Sequence, residues 1–181
     1  QRDESLLDQL VYHRIRSLEL DVHHSASFAA EIPGDWYVYH IDVVDDDSHC
    51  RTLSQCLGLL AAFQRAQPEH EVLTLWIDLK DDFIADHQPA DLDARLTAAL
   101  GATLLRPAEL LALCPGAATL QQAVTSRGCG WPELSTLRGR VLVALTGGDL
   151  NDPDGALAAY VGADATQRAA FVAPDLDDAA T

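Results

Sequence analysis

The segment from Leu18 to His24 constrains the fold of this 181-residue chain more than any other stretch. Because successive side chains of a strand alternate between its two faces, this segment separates apolar from polar residues. The apolar face carries Leu18, Leu20 and Val22, and the polar face carries Glu19, Asp21 and His23. Two carboxylates on an otherwise apolar strand are costly to desolvate unless a cation or hydrogen-bond donors meet them. The segment therefore predicts a strand whose acidic face binds a metal ion or a donor network.

A second segment, residues 71–80, repeats this arrangement. Its odd positions are apolar from Leu73 to Leu79, whereas Asp78 and Lys80 lie on the opposite face at the C-terminal end. The repetition predicts two strands that bring charged side chains to the same end of a sheet.

Helical and strand-like segments alternate along the chain. The spacing of apolar residues predicts helices at 4–13, 52–64, 91–100, 107–113 and 119–127, and strands at 15–22, 36–41, 71–80, 141–145 and 169–173. We expect Asp91 to cap the third helix. Alternation of this kind, with charge at the C-terminal ends of strands, predicts a parallel α/β fold of the TIM-like (β/α)8 barrel type. A whole barrel usually needs about 250 residues. We therefore expect residues 1–181 to form one barrel domain that is only partly represented, with strands missing at both ends.

The charge balance excludes some classes of function. Asp and Glu number 28 against 12 Lys and Arg, a net charge of −16 that argues against nucleic-acid binding and simple attraction to anionic lipid. A divalent cation between carboxylate and phosphate would still permit chemistry on phosphate esters. No apolar run approaches the roughly 20 residues of a membrane span. The chain has no methionine and begins with Gln1, so we expect that it does not begin at its own start codon.

Four cysteines favour an exported protein. An even number fits two disulfides, and the absence of a CxxC pair argues against a zinc site. Reduced structural cysteines are the alternative. The four are Cys50, Cys56, Cys114 and Cys129.

Several short motifs occur in order between residues 5 and 147. They are Asp8-Gln9-Leu10, Leu18 to His23, Val38-Tyr39-His40, Cys50 to Leu57, Trp131 to Leu134 and Leu137 to Leu142. Together they resemble the secreted calcium-dependent phosphatidylinositol-specific phospholipase C family. A Glu-x-Asp strand alone is common among phosphodiesterase barrels, so the ordered set carries the resemblance.

The resemblance implies a TIM-like barrel that cleaves the phosphodiester of phosphatidylinositol with two histidines and a bound calcium ion. Carried over by position, Glu19, Asp21 and Asp78 would be the calcium ligands, and their hard oxygen donors suit that ion. His40 resembles the second histidine, which protonates the leaving alkoxide or stabilises charge in the transition state. Lys80 would hold the phosphate.

The family resemblance also implies where the protein acts and how its cysteines are paired. It favours disulfides, which we expect to join Cys50 to Cys56 and Cys114 to Cys129. We further expect a secreted monomer that acts on phospholipid at a membrane surface. His23 shares the face of the carboxylates and is a candidate for substrate contact.

One departure from the family concerns its first histidine, which lies with an adjacent asparagine on the first barrel strand. Nothing before Glu19 supplies this pair. His13 precedes the strand and belongs at the opposite, N-terminal rim of the barrel, so we expect the general base to be absent from this chain.

Two other functions stay open on the sequence. A glycerophosphodiester phosphodiesterase shares the Glu-x-Asp strand, but that family usually places its histidine nearer the carboxylates and follows it with Asp, whereas Ile41 follows His40 here. A catalytically inactive, calcium-stabilised binding domain would also explain the missing histidine. Each residue also has a purely structural alternative. The carboxylates could form a structural ion pair, His40 could be a core histidine, and Lys80 could be a strand-end lysine without a functional role.

Overall fold

The computed structural model describes residues 4–26, 34–40, 50–162 and 164–173. Six strands lie in these ranges: β1 (Ser17–His23), β2 (Tyr37–Val38), β3 (Leu73–Leu79), β4 (Leu104–Leu105), β5 (Val141–Thr146) and β6 (Phe171–Val172). Six α-helices accompany them: α1 (Leu6–Val11), α2 (Leu53–Ala66), α3 (Pro89–Leu100), α4 (Pro107–Ala112), α5 (Leu120–Thr125) and α6 (Ala156–Val161). No helix in the described part of the chain is long and apolar enough to cross a membrane.

The strands form one mixed sheet with a parallel centre. β1 pairs in parallel with β3, and β3 pairs in parallel with β5. β4 and β6 both join β5 in parallel, at its start and near its end, while β2 lies antiparallel against β1. The register sets Asp21 opposite Asp78, and Asp78 opposite Thr146. The parallel α/β fold predicted from the alternating elements is confirmed.

The hydrophobic core explains which way the central strands face. Apart from Trp76, the apolar side chains of β1 and β3 are at most 7% exposed, and they join one buried cluster with side chains from α1, α2 and α3. Examples are Leu10 of α1, Leu57 of α2 and Leu96 of α3. Burial of each such side chain contributes about 1.5–3 kcal/mol. The helices therefore cover one face of the sheet, and the polar side chains of β1 and β3 are left to the other.

The last strand is fastened by a buried polar network. Asp93 of α3 accepts hydrogen bonds from the Tyr160 hydroxyl and from the Ala169 N–H. The Tyr160 oxygen in turn accepts from the Ala170 N–H at 2.9 Å, and Arg168 pairs with Asp93 at 3.2 Å. These contacts hold the approach to β6 against α3 and α6.

Both expected disulfides are present. Cys50–Cys56 brackets the start of α2, where the Thr52 side chain accepts a hydrogen bond from the Gln55 N–H. Cys114–Cys129 closes the segment that contains α5.

Some element boundaries differ from those predicted. The cap of α3 is Gln88 rather than Asp91, because Pro89 starts the helix and Asp91, at its third position, accepts from the Gln88 N–H at 2.8 Å. β2 is shorter than predicted, since Val38 also donates its N–H to the carbonyl of Arg51 in the segment before α2. Ile41, the last residue of the strand predicted at 36–41, lies outside the described residues.

Candidate active site

Three carboxylates converge on the polar face of β1 and β3. Each of Glu19, Asp21 and Asp78 can offer an oxygen, and these oxygens lie within 4.8 Å of one another. Asp21 and Asp78 face each other across the parallel ladder, and their side chains are 16% and 18% exposed. Glu19, two residues earlier on the same face, is exposed. The structure thus brings together the three acidic residues singled out in the sequence.

Lys80 contacts two of these carboxylates. Its ammonium nitrogen is 3.0 Å from Asp21 Oδ1 and also contacts Asp78 Oδ2. The hydrogen bond to Asp78 raises the pKa of Lys80 above its ordinary value, against the opposing effect of burial. Lys80 is the only lysine in the sequence. Two of the three carboxylates, Asp21 and Asp78, therefore already contact a cation that belongs to the protein itself.

His40 approaches the same cluster from the end of β2. Its Nδ1 lies 2.8 Å from Asp21 Oδ2, while its side chain is 66% exposed. The two oxygens of Asp21 thus have different partners, since Oδ1 meets Lys80 and Oδ2 meets His40. Burial acts to raise the pKa of Asp21, but hydrogen bonds from His40 and Lys80 outweigh it and hold this pKa below its usual value. Sequence reasoning selected both residues but did not foresee that they share Asp21.

His23 is held beside the carboxylates by other groups. Its ring stacks on Tyr39 with centroids 3.9 Å apart, and its Nδ1 lies 3.4 Å from Asp81 Oδ2. Asp81 also accepts the N–H of His24 at 3.0 Å, which ties the ends of β1 and β3 together. Nε2 of His23 is buried and has no hydrogen-bond partner among the described residues.

A glycine that the sequence reasoning did not select completes the site. Gly147 follows β5 with φ +87°, a backbone conformation that favours glycine. A Cβ built on it would lie 2.3 Å from Asp78 Oδ1 and 2.3 Å from the carbonyl oxygen of Leu79. The Gly147-Gly148 pair after an apolar strand was the one signal in the sequence that pointed to a close approach of this kind.

An open groove of about 440 Å³ borders the cluster at the C-terminal ends of β3 and β5. Its lining includes His24, Lys80, Asp81 and Gly147. This is the end of the strands at which parallel α/β folds bind their ligands.

The donor set fits a calcium ion. Carboxylate oxygens are the hard donors that calcium prefers, and calcium takes six to eight oxygens, so water or substrate would complete the shell. Two of these carboxylates, Asp21 and Asp78, already compensate one positive charge, that of the Lys80 ammonium.

The remaining described histidines have structural surroundings. His70 and His87 are buried and are bonded to the carbonyls of Glu71 and Asp35 at 2.6 and 2.8 Å. Neither was assigned a role from the sequence, although their burial was not foreseen. His13 pairs with Glu4 at 3.2 Å, before the N-terminal end of β1 and away from the carboxylates.

Most of the chain matches one known protein family. The model of the family described as "Phosphoinositide phospholipase C, Ca2+-dependent" matches residues 29–180. No curated protein gives a significant match.

Solved structures with a similar fold include two calcium-dependent phospholipases C. One, from the Gram-negative bacterium Pseudomonas sp. in its apo form, is 23% identical with a TM-score of 0.77, over 95% of this chain and 60% of that one. Another, from Streptomyces antibioticus, is 26% identical with a TM-score of 0.68, over 87% of this chain and 56% of that one. The chain therefore spans about 60% of the length of the solved structures that it matches.

Proposed function

The chain belongs to the family of Ca²⁺-dependent phosphoinositide phospholipases C, and we propose that it carries the calcium site and one catalytic histidine for cleavage of phosphatidylinositol. The products are inositol phosphate and diacylglycerol. The observation that carries this proposal is the cluster of Glu19, Asp21 and Asp78, whose oxygens lie within 4.8 Å of one another, with His40 bonded to Asp21. Because the chain spans about 60% of the solved structures, the activity of the whole protein is part of the proposal.

The three carboxylates are the proposed calcium ligands. When bound, the ion lowers the pKa of the attacking inositol hydroxyl and offsets negative charge on the phosphate. Glu19, Asp21 and Asp78 supply the negative charge that holds it, and the parallel register of β1 and β3 keeps two of them face to face.

His40 is the proposed general acid. Asp21 Oδ2 holds Nδ1 of the ring, which leaves Nε2 as the nitrogen that can meet a substrate. As the inositol hydroxyl attacks phosphorus and forms a cyclic inositol phosphate, its proton passes to a separate general base, and the protonated ring of His40 gives its proton to the departing oxygen of diacylglycerol. Asp21 then serves twice, since one oxygen faces the cation and the other orients the acid.

Lys80 and His23 are the proposed substrate contacts. Lys80 borders the groove, so its ammonium is within reach of a phosphate once the carboxylates have another cation. His23 stacks on Tyr39 beside the cluster, a position suited to contact with the inositol ring.

A secreted setting is also part of the proposal. Two disulfides fit an oxidising compartment, where they persist, and the lipid substrate requires contact with a membrane surface. The net charge of −16 opposes simple attraction to anionic lipid, so calcium rather than a basic patch would link protein and phosphate.

Calcium titration by isothermal calorimetry tests the proposal. We expect the wild-type chain to bind calcium, Asp21→Asn to lose most of the affinity, and Asp152→Asn, at an exposed turn, to retain it. Turnover of phosphatidylinositol vesicles, measured on this chain and on a longer protein extended upstream, then tests the reaction. Absence of calcium binding would make the carboxylates structural and refute the proposal.

The same assays separate the alternatives. A glycerophosphodiesterase would release the alcohol from glycerophosphodiesters, and a binding domain would take up calcium without turnover in either protein. No observation favours either of these over phospholipase activity.

A further inference from the structure

Gly147 lies where the chain leaves β5, directly against the proposed ligand Asp78. A Cβ at this position would be 2.3 Å from Asp78 Oδ1, 2.3 Å from the Leu79 carbonyl oxygen and 2.8 Å from the Leu79 nitrogen. Real Cβ atoms essentially never come closer than 3.0 Å to such atoms. Any side chain at residue 147 must therefore displace the carboxylate, the end of β3 or itself.

The backbone of β3 is the least able to move. Leu79 pairs with Val22 at the end of the parallel ladder, and the next N–H, that of Lys80, donates to the Val22 carbonyl at 3.0 Å. The Leu79 side chain is 5% exposed within the core. The Asp78 carboxylate, by contrast, can rotate about its side-chain bonds.

We infer that Gly147 is a positioning residue for the calcium site and acts through Asp78, because its missing side chain is the space that the carboxylate occupies. This inference rests on the proposed function, since it concerns the ligand geometry of that same site. With Oδ1 against Gly147 and Oδ2 against Lys80, the carboxylate is held from two sides in the position that faces Asp21.

The size of the displacement decides its effect on a metal ion. To move from 2.3 Å to at least 3.0 Å from a new Cβ, Oδ1 must recede by about 0.7 Å. Calcium–oxygen distances span only about 2.3–2.6 Å. A shift of this size removes Asp78 from bonding distance unless the other ligands follow it.

Gly147→Ala and Gly128→Ala form a matched pair for the test. Gly128 has φ +86°, almost the same as Gly147, but nothing lies within 4 Å of its Cβ position. Both substitutions thus place an alanine at nearly the same positive φ, and only Gly147→Ala crowds Asp78 and the Leu79 backbone. By calorimetry we expect Gly147→Ala to weaken calcium binding at least tenfold and Gly128→Ala to leave it within twofold of wild type.

A second measurement needs no metal. Asp78→Ala removes the Oδ1 atom that an alanine at residue 147 would meet, and leaves in place the close approach of the Leu79 backbone. The loss of stability caused by Gly147→Ala, measured as the shift of the urea unfolding midpoint, should then be smaller in the Asp78→Ala background than in the wild-type background. If Gly147→Ala alone does not fold, recovery of folding in the double variant gives the same answer.

The outcomes separate this inference from the proposed function. Calcium binding by the wild type that Gly147→Ala leaves unchanged would overturn the inference and leave the proposed function intact. An equal loss of stability in both backgrounds would also overturn it, because the obstacle would then be the backbone of Leu79. Absence of calcium binding by the wild type would overturn both.

Discussion

Replacement of Lys80 by glutamine should destabilise the metal-free protein and strengthen its binding of calcium. The Lys80 ammonium is the one cation recorded between Asp21 and Asp78 in the described part of the chain, and calcium would need the same carboxylate oxygens. Glutamine keeps most of the length of the side chain but removes its charge. Two partly buried carboxylates then face each other without compensation.

The burial of Lys80, Asp21 and Asp78 determines how much the substitution lowers the free energy of unfolding. Exposed ion pairs contribute about 0–1 kcal/mol, whereas removal of one partner from a buried pair costs about 3–5 kcal/mol. The side chains of Asp21 and Asp78 are 16% and 18% exposed and that of Lys80 is 31% exposed, which is between these limits. We therefore expect Lys80→Gln to lower the free energy of unfolding by about 1–3 kcal/mol. Since each 1.4 kcal/mol corresponds to about tenfold in an equilibrium constant, loss of this competition tightens calcium binding by about 5- to 140-fold.

Urea denaturation with and without calcium, together with calorimetry, measures both effects. Arg127→Gln is the control, because it removes one positive charge from an exposed position. A Lys80→Gln protein that is as stable as the wild type and binds calcium with equal or lower affinity would refute the view that Lys80 acts as the internal counter-cation.

Three further predictions concern other parts of the molecule. His40→Ala should lower phosphatidylinositol turnover by about 100-fold or more while calorimetry shows calcium affinity within about twofold, as expected for loss of a general acid; a parallel loss of calcium binding would contradict this role. Burial, and then the hydrogen bond to Asp93, raise the pKa of Tyr160. The stability that the protonated phenol confers is thus complete below the ordinary tyrosine pKa of about 10 and is lost as pH rises beyond it. In urea titrations, Tyr160→Phe should remove this alkaline decline and cost about 1–3 kcal/mol at pH 7, because a buried backbone N–H loses its acceptor; an unchanged decline would assign it to other groups. Without reductant, mass spectrometry should find no alkylatable thiol. Replacing Cys50–Cys56 by a serine pair should lower the free energy of unfolding by about 2 kcal/mol, and replacing Cys114–Cys129 should lower it by about 3 kcal/mol, because the sequence separations are 6 and 15.

The parts of the fold that could be predicted are those with long, regular patterns. In β1 and β3, apolar and polar residues alternate over seven positions, and only one orientation of each strand turns its apolar side chains into the core. The sequence therefore determines which face of each strand is buried. β4 has two residues, too few to establish a period, and α6 follows an acidic turn whose composition hides the start of a helix. Tertiary pairing also decided the length of β2, because Val38 bonds to the segment before α2.

The candidate site likewise has parts that the sequence predicts and parts that it does not. Asp78 could be set beside Glu19 and Asp21 because parallel strands carry charge to one end of a sheet. The contact of Lys80 with Asp21 and that of Gly147 with Asp78 depend on which residues are level across strands, and alternation within a single strand leaves this undetermined. His70 and His87 sit in connections whose sequence gives no sign of burial.

The parallel register of β1, β3 and β5 also has a kinetic consequence. Residue 21 meets residue 78 and residue 78 meets residue 146 only after long loops have closed, and contacts of this kind form slowly because closure costs chain entropy first. The proposed calcium site does not exist until β1 and β3, which carry its ligands, have docked, so the ion would have little to bind in the folding transition state. Calcium should therefore slow unfolding and leave the rate of folding almost unchanged, which stopped-flow measurements of the two rates can resolve.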